Sequence, residues 1–207
     1  MANVSRPQGF VPLRHITGSP WNGQVQAFLV DSGDATAMFI GDAVKIAGAA
    51  GVAGQIVAGM NTEGMATITR CASGTAEQLM VGVVVGFLPD PTNLILKHRA
   101  ASTNRIAFVV TDPSVIFEIQ EDGVTSNLVA ADVGNNISFS LTAGSTVTGI
   151  SGMQVISAAK NTTATLPCKI VGLTARVDNA FGLASTDKAK VEVLLNTGVY
   201  LPNVAGG

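Results

Sequence analysis

No stretch of this chain sustains a helical period. Its apolar runs are short, and each is closed within about ten residues by Gly, Pro, Asn or Asp. Short strands joined by turns are what such punctuation permits. Val25–Val30 opens the body. Ala37–Ile46 follows, with Gly41-Asp42 as a bulge or turn. Gly51–Ala58 and Met65–Thr69 are linked by the turn Asn61-Thr-Glu-Gly64. Leu79–Phe87 is Val-rich and continuous, the pattern of a strand buried on both faces. Pro89-Asp90-Pro91 stops it. Leu94–Lys97, Ile106–Val110 and Val115–Ile119 come next, the last two separated by Asp112-Pro113. Ile137–Leu141, Met153–Ser157, Lys169–Ala175 and Val191–Leu195 complete the set, and residues 188–193 alternate as an exposed strand would. One short helical turn is expected, at Asn127–Asp132; Ala43–Gly59 has helical composition, but Gly48, Gly51, Gly54 and Gly59 argue against a helix there. The expectation is an all-β fold, a sandwich or barrel of jelly-roll-like kind, with little helix.

Residues 1–24 read differently. Pro7, Pro12 and Pro20, with Gly9, Gly18 and Gly23, forbid a long helix or a central strand. Phe10, Val11, Leu13, Ile16 and Trp21 are apolar anchors that a disordered tail would lack. The segment is therefore expected to be an extended N-terminal arm, lying on its own body or on a neighbour, and its removal (residues 1–22) to leave the fold intact. Residues 25–207 form the β-rich body. A composition shift near residues 89–105, from Gly/Ala/Val to Ser/Thr/Asn, marks the boundary if the body has two lobes.

Charge narrows the function classes. Only 13% of residues are charged, against about 25% in an average soluble domain, so much of the surface is neutral and suited to burial against neighbours. The net charge is −2 and the only basic cluster is Lys97–Arg99, which reads as a solvated strand end. Direct nucleic-acid binding, which leans on many Lys and Arg contacts to phosphate, is not expected. No apolar run reaches the length of about 20 residues that a spanning helix needs, so no membrane partner is expected, and the N-terminus has no secretory pattern.

Few residue patterns carry chemistry. Gly48-Ala-Ala-Gly51-Val-Ala-Gly54 lacks the Lys-Ser/Thr ending of a phosphate loop, and its glycines read as turns and close strand approach. His15 and His98 show no metal-ligand spacing. A Ser–His–acid set is arithmetically available, but no Gly-x-Ser-x-Gly elbow supports it. Asp132-Val-Gly-Asn-Asn136 departs from the EF-hand loop and reads as a turn. Asn3, Asn136 and Asn161 head glycosylation-type triplets of the kind that Asn- and Thr-rich chains produce by chance. Trp21 and Tyr200 are lone residues, not a stacking stripe. Cys71 and Cys168 are too few for a disulfide scaffold; buried free thiols are the default and a single bridge the alternative. No catalytic residue, metal site or cofactor is expected.

The C-terminal half carries a resemblance. Phe117-Glu-Ile-Gln-Glu-Asp-Gly123, Ala131-Asp-Val-Gly134, Thr148-Gly-Ile-Ser-Gly-Met153, Thr163-Ala-Thr-Leu166, the run from Leu173 through Arg176-Val-Asp-Asn179, and the strand Val191–Asn196 together resemble the head decoration, or capsid cement, proteins of tailed bacteriophages. The likeness covers residues 112–196. It implies a non-enzymatic β-rich virion protein on the outer surface of an icosahedral head, partnered with the major capsid protein and homo-oligomeric, as a trimer or dimer. Under that reading Phe10, Val11, Leu13, Ile16 and Trp21 are the interaction residues. A tail, spike or fibre component with a receptor- or carbohydrate-binding role is the alternative, and a hydrolase with an unrecognised site is the third.

Overall fold

The structure, a computed structural model, describes residues 3–72, 79–124, 126–182 and 188–199; Tyr200 lies outside the described residues. The fold is all-β. Its strands are β1 (Val11–His15), β2 (Gln26–Val30), β3 (Ala43–Ala50), β4 (Ile56–Val57), β5 (Met60–Asn61), β6 (Ala66–Arg70), β7 (Met80–Phe87), β8 (Arg105–Val110), β9 (Val115–Gln120), β10 (Asn136–Ser140), β11 (Gln154–Asn161), β12 (Cys168–Leu173) and β13 (Lys190–Leu195). Among the described residues the helical content is one 3-10 turn, Ala130–Asp132, inside the stretch where a helical turn was expected.

The strands divide between two main sheets and a two-stranded β4–β5 hairpin. β2, β6, β3, β7 and β8 close into a barrel, and β1, β9, β13, β12, β10 and β11 form an open antiparallel sheet in that order. Phe28, Val30, Val44, Ile68, Val84, Ala107 and Val109 fill the barrel. β8 shows how the two sheets share a core. Its alternate residues Ala107 and Val109 point inward, while Val110, of opposite parity, joins the core under the open sheet. β7 does the same through a register shift against β3 that sends Val81 into the barrel and Met80 and Val83 toward the sheet. There they meet Val115, Phe117 and Ile119 of β9 and Val191 and Val193 of β13. The Val-rich β7 is thus buried on both faces, as its composition predicted.

Several expectations need correction. Residues 89–105 are not a lobe boundary: they join β7 to β8, neighbours in the barrel, and the chain passes from barrel to sheet through residues 111–114. Leu94–Lys97 forms turns, because Arg105 holds the loop by donating to the Leu88 and Leu96 carbonyls. Lys97–Arg99 is no solvated strand end. Arg99 is fully buried and donates to the carbonyls of Thr103, Thr36 and Asp31, while His98 stacks on Phe39. β13 is a central strand between β9 and β12, so its alternation records one buried and one half-buried face, not an exposed edge.

The N-terminal arm is built into the body. β1 pairs with β9 as an edge strand, and Phe10 is buried with its ring edge-on to Phe117 and Phe139. Just before it, Gly9 crosses Gly41 so closely that a Cβ on Gly41 would lie 2.3 Å from the Gln8 carbonyl oxygen. Deleting residues 1–22 would therefore remove a core side chain and an edge strand; the expectation of an intact fold does not survive.

Candidate functional site: an apolar groove beside the N-terminal hairpin

After β1 the chain reverses at residues 16–19 and returns antiparallel. His15 N–H bonds the Ser19 carbonyl and Trp21 N–H bonds the Leu13 carbonyl. This hairpin stands beside the barrel wall, and a groove of about 540 Å³ runs between them. Phe10, Val11, Pro12 and Trp21 form one side. Val85, Gly86 and Phe108 form the other, and Ile40 and Ile150, bridged through their main chains, close an end. Gly86 faces Phe108 across β7 and β8, and a Cβ there would lie 3.8 Å from the Phe108 ring, an ordinary contact. Gln8 and the Trp21 indole supply the polar side-chain groups, and the indole N–H is itself buried without a partner. A groove so lined excludes charge and accepts apolar side chains.

Of the residues expected to mediate interaction, Phe10, Val11 and Trp21 line this groove. Leu13 is half-buried outside it, and Ile16 is exposed at the hairpin tip. Val85, Gly86, Phe108 and Ile150 were missed. They lie far from the arm in sequence; barrel strands β7 and β8 carry Val85, Gly86 and Phe108 to it, and the main-chain bridge to Ile40 places Ile150. The outward parity of Phe108 on β8 was the one signal available.

A buried polar junction supports the groove from below. Asp42 is wholly buried; its carboxylate accepts hydrogen bonds from Ser151 Oγ at 2.6 Å and Phe39 N–H at 2.8 Å, with Arg70 Nε at 3.2 Å. Burial pushes the Asp42 carboxyl above its ordinary range, and Arg70, Ser151 and Phe39 oppose that shift only in part. Ser151 adjoins Ile150 and Phe39 adjoins Ile40, so this junction fixes the closed end of the groove.

The structure does bring a serine, a histidine and an acid together, at Ser114, His15 and Asp112. Their geometry is not a relay. Ser114 Oγ lies 3.1 Å and Asp112 Oδ2 3.3 Å from the same ring nitrogen, Nδ1 of His15. The Ser114 hydroxyl donates to Asp112 at 2.7 Å, leaving its oxygen without a base to activate it. Burial would raise the Asp112 carboxyl, but hydrogen bonds from Ser114 and the nearby His15 hold it below its usual value. The set caps the turn that leads into β9.

Cys71 and Cys168 are free, buried thiols in the shared core. Burial pushes the Cys71 thiol up to about 12 and raises that of Cys168 as well, so neither is a ready nucleophile. Asp132 pairs with Lys160 and accepts the Val129 N–H, serving the 3-10 turn. Among the described residues, no group of three His, Cys, Asp or Glu is placed to hold a metal ion, and no helix is long and apolar enough to cross a membrane. In comparison with known proteins, no family model, curated protein or solved structure matches the chain.

Proposed function

We propose that the chain is a non-enzymatic structural subunit of a virion, bound to the outside of an icosahedral head and clamping neighbouring shell subunits. The apolar groove carries this reading. Three of the arm residues, Phe10, Val11 and Trp21, pack on their own body, and with the barrel they form a concave, uncharged surface that receives an apolar segment of the shell. The low charge, the exposed Leu94, Ile95 and Val147, and the resemblance of residues 112–196 support it. Each contact is modest, and several copies acting on linked subunits hold far more strongly than one.

The test is the copy number of this chain per major shell subunit, measured by quantitative mass spectrometry of purified particles. Decoration requires a simple fraction with many copies. A handful of copies assigns the chain to the tail or a spike, and absence from particles discards the virion reading. Val25→Asp, at the groove's exposed margin, should abolish retention on the head while leaving the thermal midpoint unchanged.

A further inference from the structure

On the outer face of the open sheet, away from the groove, Glu118 of β9 stands directly opposite Glu192 of β13. Like charges in that position repel, and the fold answers with three cations. Arg14 lies 2.5 Å from Glu192, while Arg176 at 3.1 Å and Lys190 at 3.2 Å share Glu118 Oε1. Beside them opens a polar pocket of about 110 Å³. Arg6, Arg176, Lys188 and Lys190 all line it, four of the chain's 12 basic residues, with Asp178 as the acidic member of the lining. Glu118, beneath, spends one oxygen on Arg176 and Lys190, and its other oxygen is buried without a hydrogen bond.

Two of those cations, Arg6 and Lys188, have no carboxylate partner among the described residues. Lys188 donates to the Asp122 carbonyl, a neutral acceptor. The Arg6 guanidinium forms no hydrogen bond or ion pair among the described residues; the residue is held by its main-chain N–H, which donates to Gln120 at 2.7 Å. The walls are fixed in advance. Asn3 exchanges two hydrogen bonds with the main chain of Ala180, and Asn179 bonds both the N–H and the carbonyl of Lys190. A pocket with four cations and one acid in its lining, on a main chain fixed in advance, favours negative charge. Its volume holds about three or four waters, or one carboxylate- or phosphate-sized group. Asp178 at the lining and the net charge of −2 disfavour a polyanion, which needs a long basic track.

We propose that this pocket binds a single oxyanion, presented as the carboxylate of an acidic side chain on a partner polypeptide. The guanidinium groups of Arg6 and Arg176 offer paired N–H donors to it, and the ammonium groups of Lys188 and Lys190 supply flanking charge. The site lies on the isolated chain, so it stands or falls separately from the groove and from any role in a shell.

The experiment is an NMR titration of the purified full chain, following backbone amides of residues 4–6, 176–180 and 188–190. The probes are an end-blocked Gly-Glu-Gly peptide, its Gly-Gln-Gly counterpart and inorganic phosphate. The expected result is saturable shifts with the glutamate peptide, at a Kd of about 1–10 mM, none with the glutamine peptide, and weakening as salt rises. Arg6→Gln, which breaks no side-chain bond among the described residues, should weaken binding about fivefold, and Arg176→Gln should do so independently. Saturation by phosphate but not by the glutamate peptide would overturn the polypeptide source. Shifts that fail to saturate, or that are unchanged in both folded variants, would overturn the site itself.

Discussion

Asp42 illustrates how one residue's environment becomes a property of the whole. It follows a glycine in the sequence and reads there as an ordinary turn residue, yet it is wholly buried and joins the barrel to the loop bearing Ser151. Its carboxyl is raised from the ordinary 3.8 by burial, so the folded state binds its proton more tightly than the unfolded state. The sign follows. This group's contribution to stability is greatest below pH 3.8, falls as pH rises from there through the raised folded pKa, and is flat above. Asp42→Asn should remove that decline while other carboxylates continue to titrate. Denaturant unfolding of both proteins from about pH 4 upward checks it, and parallel profiles would refute the assignment. Arg99 makes the complementary point. Within the basic cluster Lys97–Arg99 it reads as part of a solvated strand end, whereas two of its three carbonyl partners, Asp31 and Thr36, lie on loops that only tertiary packing brings round it, and Thr103 completes the set.

At the scale of elements, the N-terminal segment decides most. Proline and glycine spacing correctly excluded helix and central strand, and edge strand β1 is the outcome consistent with both. What spacing left open was whether the arm packs on its own body or on a neighbour. The crossing at Gly9 and Gly41 resolves it, because the two backbones approach within the volume of a methyl group. Both glycines have positive φ, 66° and 95°. Gly41→Ala should therefore destabilise the protein by at least about 2 kcal/mol, combining backbone strain with the clash against Gln8. Thermal unfolding monitored by circular dichroism measures it, and a loss below about 0.5 kcal/mol, the scale of an ordinary surface change, would mean that the arm is not anchored there.

For the whole molecule, the central fact is a shared core. The open sheet buries Phe117, Ile119, Val191 and Val193 against Ala43, Met80, Val83 and Val110, all of which belong to barrel strands. Neither sheet covers its apolar face alone, so both should unfold in a single transition. Trp21, the only tryptophan, reports on the hairpin beside the sheet, and far-ultraviolet circular dichroism reports on all strands. The two curves should coincide in the wild type. In Val83→Ala they should shift together by about 2 kcal/mol, and separated midpoints would mean two independent units.

The sequence by itself determined the all-β class, the position of most strands and the burial of β7 on both faces, while it left a bridge between Cys71 and Cys168 open until the structure showed both thiols free. Each of these follows from local properties: residue parity, backbone restriction by Gly and Pro, and the tendency of small apolar groups to leave water. Tertiary structure decided the barrel closure, the burial of Arg99 and Asp42, the groove beside Trp21 and the basic pocket at Arg6 and Arg176. The physical reason is shared by all four. Each joins residues distant along the chain, and their partners are set by which strands pair and which faces are left to meet, a choice that local preference does not encode.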